Sequence, residues 1–338
     1  MRISSRASGL AIAVLAAASF GTSGVLMKPL LEAGWSPAAA VTARAVGGAI
    51  ILLPITLIAL RGRWNALWRA RWRVLVMGVV GVASTQFFYF AAIRTVPVST
   101  AILIELLAPL LLVAVVWART LRMPRPLVLA GSGLAIVGLV MVIGPGSIGA
   151  PDPVGLLFSV LAMVACAVYF VIAARPSDGL PAVAFAGVGL VIGALTLSFL
   201  ALIGVLPFTA TFGDLPLFGA ALPWWVPLLF VAVVSTALAY VAGITAAESL
   251  GSRLASFAGL LEVVFAALFA WILLGEQLQP LQLVGGALIL GGIAAVRASE
   301  PMEDADQAVP ATVAANAADR RRSPSIRSSR AASTSNPM

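Results

Sequence analysis

The chain has 338 residues, 61% of them hydrophobic and 10% charged, against roughly 25% charged in an ordinary soluble domain. A soluble protein of this size cannot cover so much apolar surface with so few charges. The net charge of +8 does not describe a nucleic-acid face, because the arginines fall in short segments between apolar runs and in a tail; with no histidine and one cysteine, Cys166, an intrachain disulfide and a His/Cys metal site are excluded.

A membrane helix needs about 20 mostly apolar residues to cross a ~30 Å hydrocarbon layer. Runs of that length fall near 7–27, 37–60, 73–93, 98–118, 126–144, 153–173, 181–204, 223–244, 252–274 and 280–297. They predict an all-α polytopic membrane protein with ten transmembrane helices. Turn residues occupy the breaks, as in Gly34 to Pro37, Pro124 to Pro126 and Pro207 to Pro223. A β-barrel would show alternation instead. The first run leads into a further span without a cleavage signature, so no cleavable signal peptide is expected.

With the N-terminus inside, the inside segments hold Arg2 and Arg6, then Arg61 to Arg73, then Arg119, Arg122 and Arg125, then Arg175 and Arg253. The outside segments hold only Lys28 and Arg94. This asymmetry follows the positive-inside rule and places both termini in the cytoplasm, in a multi-pass protein of the cytoplasmic membrane. Tryptophans 64, 68, 72, 224 and 225 suit interfacial belts.

Two halves repeat at an offset of 154 residues: Trp117, Pro126, Gly131, Leu134 and Gly138 recur as Trp271, Pro280, Gly285, Leu288 and Gly292. Five spans per half is an odd number, so the second half would enter the membrane from the opposite side. Loop charge agrees, since the turn Arg119–Pro126 carries three arginines and its counterpart Leu273–Pro280 none, only Glu276. Inverted repeats of this kind mark secondary transporters, whose halves move around a site at their interface. The predicted organisation is a cytoplasmic N-terminus (1–6), a first five-helix repeat (7–144), a second (153–297) and a tail (298–338). The tail is rich in Ala, Ser, Pro, Arg and acids, and is expected to be disordered and cytoplasmic.

Ionisable groups deep in spans are costly and normally face a cavity or a partner. Three stand out: Arg44 in the second span, Glu105 in the fourth and Glu262 in the ninth. Lys28, Arg94, Glu248 and Glu276 sit near span ends, where long side chains reach water. Pro109 removes the donor to the Glu105 carbonyl and should kink the span there. Glu105 then suits either a polar cavity wall or an ion pair with Arg44 that ties two helices together. Glu262 aligns with Ala108, one turn beyond Glu105, so the two carboxyl groups occupy similar faces of equivalent helices. Without histidine, carboxyl groups are the candidate proton carriers. Gln86, Tyr89, Tyr169 and Tyr240 add polar handles inside spans and complete a candidate substrate and proton pathway.

No phosphate-cradling loop, zinc-site spacing or Ser–His pairing occurs, so the chain is not expected to be an enzyme, to carry a cofactor or metal, or to pump with ATP. The partners expected are a small solute and membrane lipid, with no nucleic acid.

The segments Gly21-Thr-Ser-Gly-Val…Lys28, Ser36-Pro37…Arg44, Val96-Pro97…Glu105…Pro109 and Leu260-Leu-Glu-Val-Val…Trp271-Ile-Leu-Leu-Gly-Glu276 resemble the EamA family of the drug/metabolite transporter superfamily. The resemblance covers about residues 8 to 297. It implies ten helices in two inverted repeats and transport of solutes, often export. A weaker similarity to the threonine/homoserine exporter branch lies in Val96-Pro97…Glu105…Pro109 and Ala167-Val-Tyr169. Val263 stands where the family usually has proline, so the ninth span should be less kinked than in relatives. Export of small metabolites such as amino acids is the expected function. A non-transporting accessory protein or sensor, and a cationic-drug exporter, are the alternatives.

Overall fold

The structure, a computed structural model, describes residues 2–143, 152–173, 179–217, 220–250, 252–277 and 279–299. The first half comprises α1 (Arg2–Glu32), α2 (Pro37–Leu60) and the short α3 (Trp64–Arg69). Next comes one rod built from α4 (Arg71–Val76), a π-helical segment π1 (Met77–Ser84) and α5 (Thr85–Ala92). The half closes with α6 (Val98–Glu105), α7 (Ala108–Thr120) and α8 (Pro126–Ile143). The second half holds α9 (Pro153–Ala173), α10 (Ala182–Leu202), a hairpin of β1 (Asp214–Leu217) and β2 (Ala220–Pro223), and a second rod of α11 (Trp225–Phe230), π2 (Val231–Leu238) and α12 (Ala239–Leu250). It ends with α13 (Ser252–Leu274) and α14 (Pro280–Ser299).

Among the described residues, eight helical spans are long and apolar enough to cross a membrane; the apolar stretches Pro126–Val142 of α8 and Leu260–Leu274 of α13 are shorter. Residues 300–338, most of the expected tail, lie outside the described residues. The first two tail positions, 298 and 299, still belong to α14. The connection 144–151 and Arg175 are also outside the described residues.

Local chemistry explains where these helices start and stop. Ser36 caps α2 by accepting the Ala39 amide at 3.2 Å, with Pro37 in the first turn. Asp152 caps α9, and hydrogen bonds from the Thr95 side chain and the Val154 and Gly155 amides hold its carboxyl below the usual range. The first helix outlasts the expected boundary near 27 and includes Pro29, whose missing donor costs one backbone bond. It gives way at Gly34, where φ is +102°, a left-handed value that glycine adopts at little cost.

The small β-hairpin departs from the all-α expectation. Asp214 pairs with Pro223 and Leu217 with Ala220, while buried Leu215 and Leu217 alternate with exposed Asp214 and Pro216. Four alternating residues are too few to register in a span-length hydropathy reading. The segment before the hairpin is fastened to the α1–α2 turn: Trp35 Nε1 donates to the Thr211 carbonyl at 2.7 Å, and the Ser36 amide to the Thr209 carbonyl at 2.9 Å. Rings of Trp35, Phe212 and Trp224 pack together above them.

The 154-residue offset is visible in the backbone. The π segments Met77–Ser84 and Val231–Leu238 begin and end 154 residues apart. Likewise α6 with α7 (98–120) corresponds to α13 (252–274). Equivalent helices α8 and α14 pack antiparallel, Gly131 against Gly292 and Gly138 against Gly285. A Cβ on Gly138 would lie 2.4 Å from the Gly285 carbonyl, whereas one on Gly133 would meet nothing within 4 Å. Gly138→Ala is therefore expected to cost about 1–3 kcal/mol as an overpacked contact, and Gly133→Ala nothing comparable. Thermal unfolding of the two purified variants checks this; equal melting temperatures would refute the close-packed crossing.

Candidate functional site

Arg44 projects from the middle of α2 and is 6% exposed. Its Nε donates to Thr236 Oγ1 at 3.2 Å, and its Nη1 donates to Gln86 Oε1. The guanidinium also lies over the Phe90 ring, 5.7 Å from the centroid. Arg44, Gln86, Thr236 and Tyr240 line one narrow cleft, walled by Val41, Val82 and leucines of α10, with room for roughly one water.

The cleft joins the two halves at equivalent positions. Gln86 follows π1 by two residues and Tyr240 follows π2 by two, so they correspond under the repeat. A π segment inserts an i→i+5 turn and re-aims the residues after it, and such segments recur at functional sites. Here the Ser84 and Thr85 hydroxyls donate to the Val79 and Val80 carbonyls, five residues back, at 2.9 and 3.1 Å. Within π2, Ser235 shares a 2.6 Å hydrogen bond with Thr22, which ties α1 to this segment.

Glu105 is the last residue of α6. Leu106 and Leu107 then break the helix, which resumes at Ala108 with Pro109 in its first turn. Glu262 lies within α13, which runs unbroken from 252 to 274, in keeping with Val263 in place of proline. Both carboxyl groups lie within electrostatic reach of Arg44 and of each other. Among the described residues, however, no carboxylate is in ion-pair contact with Arg44. Its direct partners are Gln86 and Thr236, so the structure does not form the Glu105–Arg44 pair.

The tyrosines divide. Tyr240 lines the cleft and meets Phe20 edge-on at 5.4 Å. Tyr89 is buried, with its hydroxyl directed at Gly24 of α1, where a side chain would collide with it. Tyr169 joins a separate apolar cluster and packs against Gly81 of π1.

At the far end of α1, Lys28 Nζ lies 2.6 Å from Glu276 Oε1, with both side chains mostly buried. The same oxygen accepts the Val98 amide at the start of α6, 3.1 Å away. Glu276 Oε2 is buried without a hydrogen-bond partner. These two residues do not stay wet at span ends as expected. They tie α1, α6 and the end of α13 into one junction.

The profile of the EamA-like transporter family matches residues 7–144 and again 153–298. The chain belongs to the EamA-like transporter family. Two matches in tandem give this EamA protein its duplicated architecture, and they carry the family and no narrower branch. One solved structure, described only as the crystal structure of a protein, is 20% identical, with a TM-score of 0.56 over 86% of this chain and 97% of its own. At that identity it speaks for the fold alone. A search of curated proteins finds no match.

Sequence reasoning missed Thr236, the Thr22–Ser235 bond and the Lys28–Glu276 junction in this EamA chain. The equivalence of Gln86 and Tyr240 was available from the 154-residue offset. The Lys28–Glu276 pairing, 248 residues apart, had no such signal.

Proposed function

We propose that the protein is a secondary transporter that exports small metabolites, such as amino acids or related compounds, across the cytoplasmic membrane. In this reading ten helices span the bilayer in two inverted five-helix halves, with both termini cytoplasmic. The reciprocal packing of α8 on α14 supports the inversion, because antiparallel equivalents are what a two-fold axis in the membrane plane produces. The contrast in arginine content between the loops supports the orientation.

The observation that carries the reading is the convergence of Arg44 with Gln86 and Tyr240, equivalent residues from the two halves. A site shared by two similar halves is opened to either side when they rock, which is the geometry of alternating access. Arg44 would present a cation to the solute's acidic group, and Tyr240 an apolar face with one hydroxyl. Glu105, at the negative end of the half-helix α6, and Glu262 in α13 are the proposed proton carriers beside it.

A resistance screen of overproducing cells across amino acids, their analogues and cationic drugs tests this function. Resistance to one or more amino acids or analogues is expected, with faster efflux of that labelled solute from preloaded cells. Resistance confined to cationic drugs would move the substrate class. Unchanged sensitivity and efflux for every compound would favour an accessory role without transport.

A further inference from the structure

A groove of about 720 Å³ lies between α7, α8, α9 and α14, away from the Arg44 cleft. Its walls are apolar and include Leu112, Val116, Trp117 and Phe170. One end starts at Pro109, directly after the α6–α7 break, and the other carries the guanidinium groups of Arg122, Arg125 and Arg297. Arg122 and Arg125 belong to the α7–α8 turn, where Leu121 ends α7 in a left-handed conformation, φ 50°. Arg297 comes from the last turn of α14 and is only 9% exposed.

We infer that this groove binds one anionic phospholipid of the cytoplasmic leaflet, its phosphate among the three arginines and an acyl chain along α7 toward Pro109. The inference rests on the orientation proposed above, which puts these arginines at the cytoplasmic surface. Three features select this occupant. Guanidinium groups present planar forks that match phosphate oxygens. The apolar wall beyond them accepts hydrocarbon, which a free phosphate lacks. Basic recesses between spans on the cytoplasmic side have the charge to select anionic over zwitterionic head groups.

The repeat sharpens the argument. Under the 154-residue offset Arg122 corresponds to Glu276, Arg125 to Gln279 and Arg297 to Ile143. None of the three equivalent positions is basic, and Glu276 there is paired with Lys28 of α1. The basic cluster is specific to one half, and is not a by-product of the duplicated fold. Because the groove begins at Pro109, an acyl chain there would lie beside the break that follows Glu105, where it can bias the angle between α6 and α7.

Native mass spectrometry of the purified full chain, titrated with phosphatidylglycerol or with phosphatidylcholine of the same acyl chains, tests the inference. One phosphatidylglycerol is expected to bind in preference to phosphatidylcholine. The Arg122→Gln/Arg125→Gln variant, altered only at exposed positions, should lose roughly 10- to 30-fold in that affinity. An Arg69→Gln/Arg71→Gln variant, altered elsewhere on the basic face, should keep it. Equal binding of the two lipids, or an unchanged affinity in the Arg122/Arg125 variant, would overturn the site. Displacement of the lipid by glycerol phosphate at equal concentration would overturn the acyl-chain contact, and much tighter binding after removal of residues 301–338 would assign the groove to the chain's own acidic segment instead. Labelling that contradicts the proposed orientation, with lipid selectivity intact, would separate failure of the topology from failure of the site.

Discussion

Replacing Arg44 by methionine is expected to reduce transport by about two orders of magnitude while leaving the protein in the membrane. Methionine keeps an unbranched stem but carries no charge and donates no hydrogen bond, so Gln86 Oε1 and Thr236 Oγ1 lose the donors they have now. Two buried hydrogen bonds from a charged donor amount to roughly 3 kcal/mol, and each 1.4 kcal/mol is a factor of ten. Arg44→Lys separates charge from geometry. An ammonium keeps the cation but cannot reach Gln86 and Thr236 as a fork does, so this variant should recover only a minor part of the rate. Efflux from everted vesicles, with melting temperature measured in parallel, checks both variants. Full transport by Arg44→Met would remove the cleft from the pathway.

Glu105→Gln and Glu262→Gln are each expected to lower transport on the order of tenfold or more, with little change in melting temperature. Glutamine keeps the size and hydrogen bonding of glutamate and removes the proton and charge. Neither carboxylate is in ion-pair contact with Arg44 among the described residues, so neither substitution strands a paired guanidinium. Breaking a true buried pair from one side would cost about 3–5 kcal/mol, and expression and stability would fall together. The two outcomes are therefore distinguishable in one experiment, transport and thermal unfolding on the same preparations. Normal transport by the double variant would contradict the proton-carrier role, and a large loss of stability would mean that the carboxylates hold the helices together.

Eight of the ten expected spans were legible as helices long and apolar enough to cross a membrane, because apolar length is a local property. The expected break after Glu105 followed from Pro109, and the continuity of α13 from Val263, each a one-residue cause. The hairpin at Asp214–Pro223 and the π segments were not legible. A π turn differs from an α turn by one residue of hydrogen-bond register and leaves hydrophobicity unchanged, so no compositional signal marks Met77 or Val231. The Arg44 site was legible in three of its members, but not in Thr236 or in its pairing. Arg44, Gln86 and Tyr240 each stood out as polar groups inside spans, yet electrostatics alone suggested Glu105 as the partner of Arg44. Packing decided otherwise, because α2 packs on α10, π2 and α5, while α6, which Glu105 ends, packs on α9 and α13. Lys28 and Glu276 each look wet in isolation, and only the meeting of α1 with the end of α13 buries them.

The proposed inverted duplication around the Arg44 cleft is tested most directly by labelling two equivalent exposed positions from one side of the membrane. Met123 and Gln277 correspond under the 154-residue offset, and both are exposed. In a Cys166→Ala background, Gln277→Cys should react with a membrane-impermeant maleimide on intact cells, and Met123→Cys only after the membrane is permeabilised. Labelling of both positions from the same side would contradict the inverted arrangement and, with it, a cleft opened alternately by two opposed halves.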